Sequence, residues 1–173
     1  GILGCGSVVL GSSETAGRMY SEIDAQVQSG VAIDAAALAV MQAWRAAGRA
    51  IPGYGHPLHK ERDERVGALF KVARAAGTDL RFIAIAEAAE ALLPQVLNKP
   101  LKLNVSGAIP AVLLGAGFPV QALKGVPILA RTAGLIAHLF EEIQQPIGFA
   151  LSYQATREMV YDGELPTGFG APR

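Results

Sequence analysis

The chain predicts an all-α protein, and three observations carry that expectation. Alanine is abundant, β-branched alternation is rare, and the apolar positions of most longer segments recur at helical spacing. Ser12 and Ser13 are candidate caps for a helix running to about Gln28, and Gly30 punctuates it before a second helix from about Ile33 to Ala47. Trp44 is expected in the core. Val66, Leu69, Phe70 and Ala73 make one stripe on a third helix that Gly77 ends, and Asp79 is placed to cap the next. That fourth helix carries Phe82, Ile85, Ala86, Ala89, Leu92, Leu93 and Val96, and breaks near Asn98 and Pro100. From Ser106 to Ala116 the residues are small and apolar, a buried helix in which Pro110 must sit near the start or kink it. Val126 to Ile143 carries the strongest helical pattern, with Ile128, Leu135, Leu139 and Ile143 expected inward. A short helix around Ala155 to Tyr161 precedes a Gly/Pro tail.

Composition excludes several classes of function. With 173 residues the chain can form one large domain or two small lobes around a real core. Fifteen basic and fifteen acidic residues cancel, and no run of like charge is long enough to attract a duplex, so nucleic acid is not an expected partner. Hydrophobic residues make up 51% of the chain, but charge and Gly/Pro interrupt them short of the roughly 20 residues a span requires, so no membrane association is expected. Cys5 is the only cysteine, which excludes an internal disulfide and reads as a small buried hydrophobe. The residues around it lack the charged start of a signal peptide, and a cytoplasmic protein is the expectation. Three scattered histidines and one cysteine give no ligand spacing of the structural zinc kind, so no metal site is expected. The chain opens directly into Gly-Ile-Leu-Gly without Met, and it is read as lacking an N-terminal part.

Chemistry concentrates in residues 51–65, Ile-Pro-Gly-Tyr-Gly-His-Pro-Leu-His-Lys-Glu-Arg-Asp-Glu-Arg. Gly53 and Gly55 present Tyr54 and His56 on a tight loop that lets a ligand approach the main chain. A loop before a helix N-terminus offers N–H groups to an anion, and Lys60, Arg62 and Arg65 add full charges. The alternative from spacing alone is an ordinary turn followed by a solvated charged face. Two further segments carry groups that are costly to bury: Asn104 with Ser106, and Arg131 with His138. Arg131 on an apolar helix demands either an acidic partner or an anionic ligand. His138 reads as a core or interface histidine, and His59 as solvent-facing.

The run Pro-Gly-Tyr-Gly-His56 with Lys60, Asp63 and Arg65, then Leu-Asn104-Val105-Ser106-Gly107-Ala108, then Leu-Ala-Arg131-Thr-Ala-Gly134-Leu-Ile-Ala-His138, resembles the citrate synthase superfamily in order and spacing. It is also similar to the citryl-CoA lyase module of ATP-citrate lyase. The resemblance runs from Gly4 to about Gly163. It implies a two-lobed helical fold, with a small lobe at residues 11–105 and part of a large lobe at 1–10 and 106–173. It implies an acyl-CoA carbon–carbon lyase or synthase that interconverts a citryl-CoA- or citrate-like compound with acetyl-CoA and oxaloacetate. The coenzyme A thioester is then a substrate and no cofactor is covalently bound. His56 takes the catalytic position beside the substrate carbonyl or hydroxyl. Arg65 and Arg131, with Asn104, bind substrate, and a guanidinium suits that task because its fork donates two parallel hydrogen bonds to one carboxylate. Pro52, Gly53, Tyr54, Gly55, Lys60 and Lys102 fall on positions that contact coenzyme A. Family members are obligate dimers, so a homodimer or higher homo-oligomer is implied.

The chain departs from the family pattern at three places. Glu64 stands where an Asp-Pro-Arg motif has proline. Leu10 and Ser106 stand where the synthases carry a second histidine and an aspartate around the acetyl group. Forming an acetyl enolate needs a base near the α-carbon and donors at the developing oxyanion, and neither leucine nor serine suits that work. The lyase module also lacks the first histidine, so Leu10 points toward the lyase branch or a divergent relative. The alternative implied by both departures is a relative that binds carboxylate or coenzyme A without the family chemistry.

Overall fold

The computed structural model describes residues 10–56, 61, 63–160, 162–164 and 166–168. These form seven α-helices: α1 (Ser12–Gln28), α2 (Ile33–Ala46), α3 (Glu64–Ala75), α4 (Arg81–Leu97), α5 (Val105–Gly115), α6 (Gly125–Gln144) and α7 (Gly148–Glu158), with a 3₁₀ turn at Val120–Ala122. Among the described residues the one β feature is an isolated bridge between Tyr54 and Leu103. The all-α expectation holds.

Two compact units divide the chain, Gly1–Thr132 and Ala133–Arg173. Helix α5 packs against α1, α3 and α4 inside the first unit. Helix α5 can occupy that central place because its buried positions are Gly107, Ala108, Pro110 and Ala111, small residues that let neighbouring backbones come close. Around it, Met19, Tyr20 and Ile23 of α1, Met41 and Trp44 of α2, Phe70 of α3 and Ile85, Ala89 and Leu93 of α4 form one buried cluster. Trp44 joins the core as expected and donates its indole Nε1–H to Glu22 Oε2 at 2.6 Å.

Helix ends follow local chemistry more closely than the sequence pattern suggests. Ser12 and Ser13 are the first residues of α1 rather than its caps, and Ser13 is buried. Asp79 does cap: its Oδ1 accepts the Arg81 N–H at 2.8 Å at the start of α4. Pro110 lies in the interior of α5, not at its start. Helix α7 begins at Gly148 rather than near Ala155, because Glu142 Oε2 and Oε1 accept the backbone N–H groups of Ile147 and Gly148, each at 2.9 Å. Those hydrogen bonds favour the ionised form of Glu142 and hold its pKa below the usual carboxylate range.

The inward reading of α6 fails at two of its four positions, while Ile128 and Leu135 are half-buried. Leu139 and Ile143 are exposed, Ile143 to 82%, as are Leu129, Ile136 and Phe140. A helical period specifies which residues share a stripe, but burial needs a surface from a neighbouring element. The expectation that no segment reaches membrane-spanning length is corrected as well. Val120–Gln144 is long and apolar enough to cross a membrane by length and composition. His138, expected in the core or an interface, is exposed and sits 3.0 Å from Glu141 Oε2.

Candidate functional site

The Gly-Tyr-Gly-His loop is held against the strand-like segment that leads into α5. Gly55 N–H donates to Lys102 O at 2.7 Å and Asn104 N–H to Gly53 O at 2.9 Å, flanking the Tyr54–Leu103 bridge. Gly53 and Gly55 have φ of 88° and 78°, the left-handed region the sequence expects of them. Gly53 is also required by contact: a Cβ there would lie 2.7 Å from the Gly107 Cα. Two glycine backbones therefore touch where the loop meets the first turn of α5.

Tyr54 fastens the loop from the other side. Its hydroxyl donates to the Ala86 carbonyl at 3.0 Å and lies 3.1 Å from the Tyr20 hydroxyl. A phenol has one proton, so Tyr20 is the donor in the tyrosine pair. Both rings are buried, and burial pushes both phenols well above their ordinary pKa.

At the N-terminus of α5, Asn104 acts in two directions. Its Oδ1 accepts the N–H groups of Ser106 at 2.9 Å and Gly107 at 3.3 Å, capping the helix. Its Nδ2 donates to Gly55 O at 2.6 Å, fixing the peptide group immediately before the half-buried His56. The third N–H of this turn, that of Val105, goes to Asp63 Oδ2 at 3.1 Å.

Asp63 is the residue whose weight the sequence reading misses, since it enters there only as part of a motif. Its side chain is 2% exposed. It caps α3 by accepting the Arg65 N–H at 3.1 Å, and it takes the Arg65 guanidinium in a forked pair, Nε to Oδ1 at 2.9 Å and Nη2 to Oδ2 at 2.8 Å. The guanidinium first, and the backbone donors with it, hold the Asp63 carboxyl at about 2, below its ordinary 3.8. The anion at the start of α3 is thus the chain's own carboxylate, where the sequence suggests a ligand. An aspartate directly before a helical run is the sequence signal for such a cap.

One hydrogen-bonded network therefore joins His56's loop, Arg65, Asn104 and the backbone of half-buried Ser106. Lys102 lies at its edge, its main chain bound to the loop and its ammonium 3.5 Å from Glu90 Oε1 beside a groove of about 430 Å³. Pro52 is half-buried at the start of the loop. Lys60, His59 and Arg62 lie outside the described residues, as does Cys5. Arg131 is exposed on α6 and has no ion-pair partner among the described residues, so the argument that its burial demands a partner does not apply. Leu10 is buried. No cluster of His, Cys, Asp and Glu suited to a metal ion occurs among the described residues.

The sequence profile of the family described as "Citrate synthase, C-terminal domain" matches residues 6–148. The chain belongs to the citrate synthase family. The match runs through α6, so that apolar stretch lies within the matched family region. ATP-citrate synthase beta chain proteins 2 and 1 of Arabidopsis thaliana are each 32% identical over 115 residues, covering 56% of this chain and 19% of theirs. Citryl-CoA lyase from Hydrogenobacter thermophilus superposes with a TM-score of 0.74 at 30% identity, over 98% of this chain and 63% of that one. ATP citrate lyase from Methanothrix soehngenii, solved with citrate and coenzyme A, superposes with a TM-score of 0.69 at 21% identity, over 99% of this chain and 29% of that one. The citrate-synthase-like helical fold is thereby established, and the chain spans only part of the length of each relative.

Proposed function

We propose that the protein is a citrate synthase-like acyl-CoA carbon–carbon lyase or synthase that interconverts a citryl-CoA- or citrate-like compound with acetyl-CoA and oxaloacetate. The observation that carries this reading is the network at the start of α5, which ties two of the three family segments, the run carrying His56 to Arg65 and the run opened by Asn104, to one another. The family match and the likeness to citryl-CoA lyase support the same direction. In cleavage, the citryl hydroxyl gives up its proton as the carbon–carbon bond breaks and the bonding pair moves onto the thioester as an enolate. The enolate carbon then takes up a proton, releasing acetyl-CoA with oxaloacetate. His56 is the group assigned to the hydroxyl oxygen, while Arg65 and Arg131 take carboxylates and Asn104 orients the loop. The backbone of Pro52–Gly55, with Lys60 and Lys102, is assigned to coenzyme A. Arg45 and Lys99 line a groove of about 420 Å³ next to Ile51 and offer cations for its phosphates. A two-lobed, cytoplasmic homo-oligomer completes the proposal, and the exposed apolar residues of α6 and α7 support self-association.

His56→Ala is expected to slow acetyl-CoA release from citryl-CoA by the full-length protein about 10²-fold or more, with folding intact. Turnover at the parent rate removes the role given to His56. A second reading, a relative that binds carboxylate or coenzyme A without turnover, is favoured by Leu10 being buried and by Ser106 offering no carboxylate. Calorimetry with oxaloacetate, citrate and coenzyme A, run beside a thioester-cleavage assay, separates the two: binding without cleavage selects the second.

A further inference from the structure

We infer that Asp63 is a positioning residue that aims the free edge of Arg65 at a substrate carboxylate and locks that arginine in register with the start of α5. The pair is asymmetric: Asp63 is almost wholly buried, whereas the Arg65 side chain is 54% exposed. Asp63 accepts four hydrogen bonds, from Arg65 N, Nε and Nη2 and from Val105 N. An ionised carboxylate has about four lone-pair sites, so this one is saturated and has no capacity left to act as a base. Its partner is not saturated. A guanidinium carries five N–H donors, and Asp63 takes only the Nε side; the Nη1–Nη2 end, a second parallel fork, is uncommitted among the described residues. Free arginine side chains sample many rotamers. Here a buried carboxylate fixes two of the donors, so the outward fork is held in one direction before any ligand arrives.

The same carboxylate also holds the Val105 N–H, 42 positions further along the chain. Movement of Arg65 relative to Ser106 and Asn104 would break that bond, so the arginine and the start of α5 move together. This deepens the lyase reading and rests on it for the identity of the carboxylate ligand.

The test is citrate binding by the full-length protein, followed by calorimetry for the parent, Asp63→Asn, Arg65→Lys and the double variant. Asp63→Asn keeps the size of the side chain but loses the two-oxygen acceptor. Each single change is expected to weaken citrate binding about tenfold or more, and the double variant to bind no worse than the weaker single one, because Asp63 acts through Arg65. Coenzyme A affinity should be unchanged, which a general loss of structure would not allow. If Asp63→Asn does not fold, Asp63→Glu takes its place, and the Arg65 Nε–H resonance of the parent, expected to be protected from exchange, provides a readout that needs no variant. Parent-like citrate affinity in the Asp63 variant, multiplicative losses in the double variant, or an unprotected Nε–H would each overturn the inference. Absence of citrate binding by the parent would instead remove the lyase reading on which it rests.

Discussion

Helices α4 and α6 are both long, both apolar at helical spacing and both rich in alanine, leucine and isoleucine, yet their fates differ. In α4, Phe82, Ile83, Ile85, Ala86, Ala89 and Leu93 are buried, whereas in α6 Pro127 alone is. Helix α4 lies against α1, α2 and α5, and its Ala86 carbonyl even receives the Tyr54 hydroxyl of the candidate site. The lesson is that a stripe of apolar residues encodes a demand for a partner, and only tertiary structure reveals whether the demand is met within the chain. The first unit meets it around α5, where glycine contacts and a buried carboxylate leave little slack.

The largest expected effect probes that lack of slack. At Gly107 a Cβ would stand 2.6 Å from Leu103 Cδ1, 2.7 Å from Gly53 O and 2.9 Å from the Tyr20 hydroxyl. Gly53 O is backbone and already accepts the Asn104 N–H, so it cannot withdraw freely. Gly107→Ala should therefore cost about 3 kcal/mol in chemical denaturation. A change below about 1 kcal/mol would mean the loop and α5 are not in such close contact.

Acid probes the same region more gently. Because the Asp63 carboxyl is depressed from 3.8 to about 2, its contribution to stability is fully present above 3.8 and disappears as pH falls through about 2. Linkage sets that contribution at about 2 kcal/mol, lost progressively as pH falls from about 4 to about 2. Denaturation midpoints measured across that range should fall for the parent and lose this component in Asp63→Asn. Identical acid profiles would dissociate Asp63 from the effect.

The smallest effect lies on the other side of the comparison. Ile143→Gln and Phe149→Gln alter residues exposed to 82% and 96%, and each should change the stability of the chain studied alone by less than about 0.5 kcal/mol. Thermal melts decide it; a loss as large as that of Gly107→Ala would show that these side chains are covered in solution.

Much of the fold is legible in the chain itself because helix ends are punctuated locally. Gly77, with φ of 67°, follows α3, and Asn98, with φ of 55°, closes α4, both where the sequence places a break. What escapes is non-local. Glu142 defines the start of α7 by reaching forward past the turn, and no pattern around residue 148 records it. In the site, the glycines, His56, Arg65 and Asn104 stand out by type and spacing. The role of Asp63 does not, since half of it is written at Val105. The placement of Arg131 is not legible for the same reason as the face of α6.

The paired phenols give the molecule an internal reporter. Tyr20 and Tyr54 share a chain of donated protons that ends on the Ala86 carbonyl, and neither ring can ionise where it lies without leaving a negative charge in an apolar interior. Phenolate absorbance from these two rings in alkali is consequently tied to the loop lifting away from α4. The rate at which that ultraviolet signal grows after a pH jump measures how often the histidine-bearing segment breathes.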